Sequence, residues 1–212
     1  MLFRSTKDKV SIPYTESDSE VTVTGIQNIF DAYKAKKVTK PLDVRVIGTV
    51  TDPSVLTKGD LVLETGNEAS GITIEGVGED AVIRGFGITL QNASNVEIRN
   101  LGFMLCDSTE TDNVSLTQNN DHIWVHNCDF FYGEPGSDDD QKKGDGMLDC
   151  KLSSYVTFSY NHFWDSGKSC LLGLKGESDE YCITYHHNWF DHSDSRHPRI
   201  RFYSAHVYNN YY

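Results

Sequence analysis

A short pattern of apolar residues recurs along the chain and restricts the folds that it can adopt. In each copy, apolar or aromatic side chains stand at the first, third and eighth positions. The clear copies are Val96–Phe103, Ile123–Phe130, Val156–Phe163 and Ile183–Phe190. A weaker copy, Ala205–Tyr212, follows them, and Ile72–Ile74 opens the series. Because the first positions step by 24, 27, 33, 27 and 22 residues, the chain is built from one repeated unit.

Each copy has the alternating pattern of a short β-strand. One strand recurring at such intervals indicates a solenoid or a propeller, and a propeller blade needs about four strands in ~40–50 residues, more than these intervals hold. The pattern therefore predicts an all-β fold, a right-handed, single-stranded parallel β-helix in which each coil pairs with the one before, ~4.8 Å away.

An asparagine lies near the end of each copy. These residues are Asn100, Asn127, Asn161, Asn188 and Asn210. Residues at the same phase of a solenoid stack from coil to coil. We therefore predict a structural ladder in which these amides bond to the coils above and below.

The N-terminal part of the chain predicts a cap for the solenoid. Residues 25–37 have apolar side chains at helical spacing, and a terminal coil needs a cover. The expected organisation is a single domain, 1–212, with residues 1–40 holding a short capping helix and 41–212 forming the coils. The sequence stops inside a strand copy, so we expect the domain to be incomplete at its C-terminal end.

The charge and the hydrophobicity of the chain limit the kinds of molecule that it can bind. The 212 residues carry a formal net charge of −12, which disfavours general nucleic-acid binding because that needs a basic face. The apolar runs are far shorter than the ~18–20 residues that cross a bilayer, so no membrane partner is expected. A polyanionic partner would have to meet a local cationic site or a bound metal ion.

The cysteines and the first nine residues give information about the cellular compartment of the protein. Five cysteines cannot all pair, and none are at Cys-x-x-Cys spacing, so we predict small buried side chains rather than a zinc site. The intervals between the first four cysteines are nearly equal, which suggests a structural period. The first nine residues lack the apolar core of a signal peptide, which fits a cytoplasmic protein or a chain whose natural start has been removed.

Three acidic residues are candidate metal ligands. Asp112 lies one coil before Asp145 and Asp149, and stacked coils could bring the three carboxylates together. Oxygen ligands without soft donors suit a hard cation such as Ca²⁺. Sharing one ion requires a bend, which Gly146 permits. Solvated acids in turns remain the alternative, and spacing alone favours it.

A basic cluster in this acidic chain is the second candidate feature. Arg196, Arg199 and Arg201 fall within six residues, and Pro198 among them predicts that the cluster opens or edges a strand. Lys168 ends another strand copy. A solvated basic face is the alternative interpretation.

Together these residues resemble the pectate lyase family of parallel β-helix polysaccharide lyases. The most specific matches are Asp145-Gly-Met-Leu-Asp149, Ile183-Thr-Tyr-His-His-Asn188 and the Arg-x-Pro-x-x-Arg motif of residues 196–201. The similarity begins at Gly76–Gly87 and covers about two-thirds of the chain in family order.

The resemblance implies a role for each candidate. Asp145 and Asp149 match primary Ca²⁺ ligands, and Asp112 matches the ligand of the preceding coil. Lys168 matches a substrate-binding lysine. The two arginines at the ends of the motif match the catalytic base, Arg196, and the group that holds the substrate carboxylate, Arg201.

The implied activity is Ca²⁺-dependent β-elimination in polygalacturonate, which leaves 4,5-unsaturated oligogalacturonides. The family is secreted, so an extracellular location is expected, with the periplasm or cell surface as variants. A monomer without nucleic-acid or membrane partners is expected.

Three other functions share this fold. A pectin lyase would act on methylated substrate without Ca²⁺ and would not need Asp112, Asp145 and Asp149 together. A polygalacturonase would use paired carboxylates and water. A non-catalytic carbohydrate-binding β-helix would explain the repeats but not Lys168, Arg196 and Arg201 at family spacing.

Overall fold

The computed structural model describes residues 1–16, 19–52, 54, 56, 59–66, 71–108, 112–131, 146–174 and 182–212. In chain order the elements are β1 Leu2–Phe3, β2 Ser11–Glu16, β3 Ser19–Thr24, α1 Ile26–Lys34, β4 Leu42–Val50, β5 Leu61–Leu63, β6 Ile72–Arg84, β7 Ile88–Gln91, β8 Ser94–Arg99, β9 Gly102–Met104, β10 Val114–Gln118, β11 Asn120–His126, β12 Asp129–Phe131, β13 Leu148–Cys150, β14 Ser153–Ser159, β15 His162–Trp164, β16 Leu171–Leu172, β17 Ile183–His186, β18 Trp189–Asp191, β19 Arg199–Ile200 and β20 Ala205–Tyr208. The candidate ligand Asp145 lies outside the described residues.

The strands from β4 onward form three stacks in which every neighbouring pair is parallel. The first stack runs β4, β6, β8, β11, β14, β17 and β20. The second runs from the end of β6 through β9, β12, β15 and β18. The third runs β5, β7, β10, β13, β16 and β19. Since the chain visits the three stacks in turn and returns one strand further along, the predicted parallel β-helix is confirmed.

The register of the first stack agrees with the sequence repeat. The paired positions, from coil to coil, are Ile72, Val96, Ile123, Val156, Ile183 and Ala205. These are the first positions of the repeat copies. The five aliphatic residues before Ala205 are buried, because alternate side chains of a strand point to one face and here that face is the interior.

Phenylalanines at the eighth position of the repeat form a stacked column inside the coils. Phe103, Phe130, Phe163 and Phe190 are all buried. Their ring centroids are 5.2, 5.0 and 4.9 Å apart along the column, with planes within 12° of parallel. Parallel pairing at a constant register places identical side chains above one another, so the interior is a set of ladders.

The predicted asparagine ladder is wrong in its extent. Only Asn161, Asn188 and Asn210 occupy the same position: Asn188 Oδ1 accepts the backbone N–H of Asn161 at 3.1 Å, and Asn210 Oδ1 accepts that of Asn188 at 2.9 Å. Asn100 and Asn127 stand one position earlier in their copies, at φ of 49° and 51°. Asparagine tolerates this left-handed backbone better than most residues, so the same residue type serves two different positions.

The amide ladder gives a stability prediction. Asn188 is buried, accepts from Asn161 through Oδ1 and donates through Nδ2 to the Phe158 carbonyl at 3.0 Å. Asn188→Ala should leave several buried groups without partners and lower the free energy of unfolding by about 3 kcal/mol, measured by urea denaturation. The control Asn28→Ala removes an exposed helix amide and should change that free energy by less than ~0.5 kcal/mol. Equal losses in the two variants would contradict the structural role.

The predicted capping helix is confirmed as α1, shorter at both ends than the apolar pattern. Ile29 and Phe30 are buried against the first coils. Gln27 fixes the helix to β5, because its amide donates to the Val62 carbonyl at 2.8 Å and accepts the Val62 N–H at 2.9 Å. The hairpin β2–β3 precedes the helix. Within the described ranges, no helix is long and apolar enough to cross a membrane.

The cysteines are free, as predicted, and all but Cys182 are buried. Their even spacing does not reflect one ladder. Cys128 lies in the turn before β12, where its N–H donates to Asn161 Oδ1, whereas Cys150 lies in β13 and pairs with Leu172 of the third stack. The interpretation of the steps as a structural period is therefore wrong.

Candidate active site

The turns that lead into the third stack bring most of the candidate residues onto one corner of the coils. Backbone hydrogen bonds join these turns from coil to coil: Asn113 to Gly146 at 3.2 Å, Met147 to Ser169 at 2.9 Å and Ser169 to Ser195 at 3.0 Å. Neighbouring coils are ~4.8 Å apart. Asp112, Gly146, Lys168 and Arg196 therefore lie on four successive coils, within roughly 14 Å along the solenoid.

Asp112 and Asp149 are buried acids that flank Gly146. Their exposed fractions are 3% and 1%. Asp112 Oδ1 accepts the N–H of Gly146 at 2.8 Å, and Asp149 Oδ1 accepts the N–H of Leu171 at 3.0 Å. A Cβ atom at position 146 would overlap Asp149 Oδ1 and lie 3.0 Å from Asp112 Oδ1. Only glycine allows both carboxylates to approach this point.

Lys151 completes this group, although it was not among the residues predicted from the sequence. Its Nζ lies 3.8 Å from Asp112 Oδ2 and 3.6 Å from Asp149 Oδ2, and its side chain is 18% exposed. Strand alternation could have predicted this position. Residues two apart in a strand share a face, and Lys151 comes two residues after Asp149. The ammonium offsets part of the negative charge of the two acids.

The two acids fit a hard cation. Their donors are carboxylate oxygens, which Ca²⁺ prefers, and the missing side chain at Gly146 lets both carboxylates come close to the same stretch of backbone. Among the described residues, no three His, Cys, Asp or Glu side chains meet in a metal-binding group. The third predicted ligand, Asp145, adjoins Gly146 in the sequence but lies outside those residues.

The basic cluster lies on a single coil, two coils beyond the one that holds Gly146. Pro198 directly precedes β19, so the prediction that the cluster opens a strand is confirmed. Arg196 is half-buried with φ of 65°, and its carbonyl accepts the N–H of Cys170 at 2.8 Å. Arg201 follows β19, and its N–H donates to the Leu172 carbonyl at 2.8 Å.

Lys168 stands between the acidic and the basic groups. It is half-buried, and its N–H donates to Ser166 Oγ at 3.0 Å. The coil that holds Lys168 lies after the Asp149 coil and before the Arg196 coil. The corner therefore presents carboxylates, then a lysine, then an arginine along the axis of the solenoid.

Comparison with known proteins identifies the family of this chain. The sequence profile of the family described as pectate lyase matches residues 14–212. The chain belongs to the pectate lyase family. A pectate trisaccharide-lyase of Bacillus licheniformis is 34% identical over 201 residues, which are 93% of this chain and 56% of that protein. Pectate lyase A of Emericella nidulans is 33% identical over 170 residues, which are 76% of this chain and 51% of that protein.

A solved structure agrees with the fold. A pectate lyase from Bacillus sp. N165, in complex with trigalacturonate, matches with a TM-score of 0.74 and 27% identity, over 88% of this chain and 60% of that one. The chain spans about half the length of the curated pectate lyases that it matches.

Two buried protic groups in this part of the pectate lyase family member, Cys170 and Tyr185, are held neutral. Burial raises the pKa of the Cys170 thiol well above its usual value; the Asp149 charge adds to the increase and Arg196 opposes it. Burial likewise raises the pKa of the Tyr185 hydroxyl well above its usual value. Neither group is therefore available as a thiolate or phenolate base at moderate pH.

His197 is the other residue of the motif that could accept a proton. Burial lowers the pKa of its imidazole, which favours the neutral form. The ring, however, packs on the phenylalanine column, with its centroid 5.1 Å from that of Phe190. Its position makes it a structural residue, and Arg196 remains the candidate base.

Proposed function

We propose that this chain carries the active site of a Ca²⁺-dependent pectate lyase that cleaves polygalacturonate by β-elimination and leaves 4,5-unsaturated oligogalacturonides. The observation that carries the proposal is the alignment of Asp112, Asp149, Lys168 and Arg196 at one corner of successive coils. A relative named pectate trisaccharide-lyase and a structural neighbour with bound trigalacturonate support the choice of substrate.

In this proposal Asp112, Asp149 and Asp145 hold the cation. When bound, Ca²⁺ supplies the Lewis acidity that makes the uronate carboxylate electron-withdrawing. The structural support is the pair of buried carboxylates around Gly146. Such a cation would help a chain of net charge −12 to accept a polyanion.

The basic residues position the uronate and remove its proton. Lys168 and Arg201 hold the carboxylate of the reacting sugar and disperse the charge that develops on it. Arg196, in its neutral form, accepts the C5 proton. The C5–H electron pair then forms the C4–C5 double bond, the C4–O bond breaks, and water protonates the leaving oxygen.

The test is the ultraviolet absorbance of the unsaturated product. Purified protein mixed with polygalacturonate at alkaline pH should produce a steady increase with added Ca²⁺ and none with EDTA. The absence of any increase from folded, Ca²⁺-supplied protein would overturn the proposal in favour of a binding module.

One observation favours a second candidate, a metal-independent lyase acting on methylated pectin. Lys151 already places a positive charge beside Asp112 and Asp149, so the acids are partly neutralised without a metal ion. For this candidate, the absorbance should rise equally fast in EDTA and faster on methylated pectin than on polygalacturonate.

The size of the proposed substrate bears on the location of the protein. A polysaccharide such as polygalacturonate is too large to enter a cell, so we propose an extracellular or cell-surface site of action. Because the candidate residues come from consecutive coils of one chain, we propose that a single domain acts as a monomer.

A further inference from the structure

Lys151 faces the two oxygens through which Asp112 and Asp149 would bind a cation. We propose that Lys151 is a positioning residue that weakens the affinity of this site for its cation and makes cation loading depend on the uronate. The inference rests on the proposed function, because it needs a cation at these acids.

The two oxygens of each carboxylate have different partners. The Oδ1 atom of each acid accepts a backbone N–H, from Gly146 for Asp112 and from Leu171 for Asp149. The Oδ2 atom of each acid faces the Lys151 ammonium, at 3.8 and 3.6 Å. The same Oδ2 pair is thus the point of attraction for both the ammonium and any incoming cation.

The ammonium and an incoming cation compete electrostatically for these oxygens. A Ca²⁺ ion binds carboxylate oxygens at about 2.3–2.6 Å, so an ion on the Oδ2 pair would lie close to the ammonium. Repulsion between a divalent ion and a unit charge about 5 Å away amounts to roughly a tenfold loss of affinity even when the interaction is screened as in water. Lys151 therefore opposes loading of the bare site.

The Lys151 ammonium can move away from the two acids. Both Nζ–O distances exceed those of a tight hydrogen bond, and lysine has a flexible four-carbon stem. Lys151 also lines a groove of about 560 Å³ along the outer face of the third stack, together with Thr117 and Gln118. A polyuronate in this groove would offer a carboxylate to the displaced ammonium.

Cation and uronate should therefore bind cooperatively. The uronate relieves the repulsion by pairing with Lys151, so each ligand raises the affinity for the other by the same factor. The net effect is a site that stays weakly loaded until substrate arrives.

The experiment is calorimetric titration of the protein with Ca²⁺ alone. Lys151→Met should bind Ca²⁺ about tenfold more tightly than wild type, and Lys151→Arg, which keeps the charge, should remain within about twofold. The matched control is Lys34→Met: Lys34 lines the same groove but pairs with Glu64 at 3.0 Å, away from the two acids. It should leave the affinity unchanged. Circular dichroism checks that each variant is folded.

The coupling is measured in an Arg196→Ala background, which prevents turnover, with trigalacturonate as the probe. Saturating trigalacturonate should tighten Ca²⁺ binding several-fold when Lys151 is present and much less in the Lys151→Met variant. Equal Ca²⁺ affinity in wild type and Lys151→Met, with loss of binding in Asp149→Asn, would overturn this inference and leave the proposed function standing. No Ca²⁺ binding by wild type, even with saturating trigalacturonate present, would overturn both.

Discussion

Arg196→Ala should lower kcat on polygalacturonate by about a thousandfold, because general-base catalysis contributes 10²–10⁴-fold in typical enzymes. The KM should change much less, since Lys168 and Arg201 remain to hold the substrate carboxylate. Initial rates of product absorbance over a range of polygalacturonate concentrations, at saturating Ca²⁺, separate the two parameters. Arg84→Ala, which removes an exposed arginine in the second stack, is the control and should retain wild-type rates.

The pH profile distinguishes an arginine base from the neighbouring imidazole. A guanidine accepts a proton only in its neutral form, and that fraction rises with pH, so the wild-type rate should increase from pH 7 to pH 10. Burial favours the neutral form of His197, and a histidine base would give a rate that is already level in this range. A rate that falls from pH 7 to 10 with the fold intact would count against Arg196, as would a large loss of kcat in His197→Gln.

Asp149→Asn should reduce Ca²⁺ affinity by about a hundredfold or more, since even outer-shell changes at metal sites cost 10–100-fold. The amide oxygen can still accept the N–H of Leu171, now at 3.0 Å from Asp149 Oδ1, so the fold should persist. Activity at limiting Ca²⁺ should fall in parallel and recover in part at high Ca²⁺. Calorimetry with Ca²⁺ and the product-absorbance assay give the two measurements.

The control for Asp149→Asn is the same change at an exposed acid. Asp129 lies in the second stack with its side chain 78% exposed, so Asp129→Asn should leave both Ca²⁺ affinity and activity unchanged. If Asp149→Asn binds Ca²⁺ like wild type, then the carboxylates around Gly146 are not the cation ligands.

Much of the fold could be predicted from the sequence because its regularity is one-dimensional. The apolar first positions of the copies, such as Ile123 and Val156, are the residues that pair between coils. Their spacing and side-chain alternation need no knowledge of distant contacts. The roles of the asparagines were harder to predict. Asn161 bonds to a buried backbone group, whereas Asn127 occupies a left-handed turn, and the residue type alone does not separate these two roles.

The site was predictable in part for a related reason. Asp112, Lys168 and Arg196 stand out by charge and motif, and the coils bring their turns together. Lys151 was missed because a single lysine is ordinarily a solvated surface residue. The role of Lys151 depends on the two carboxylates near its ammonium. One of them, Asp112, comes from another coil, so the sequence around Lys151 does not show it.

The unequal coil lengths have a consequence for how such a protein can change. Residues 132–147 join β12 to β13, whereas residues 165–170 suffice to join the equivalent strands β15 and β16. The strands at both ends of these connections nevertheless keep the same rung-to-rung pairing. The length of a connection is thus independent of the strand pairing: one connection can lengthen while Asp149, Lys168 and Arg196 keep their order along the axis.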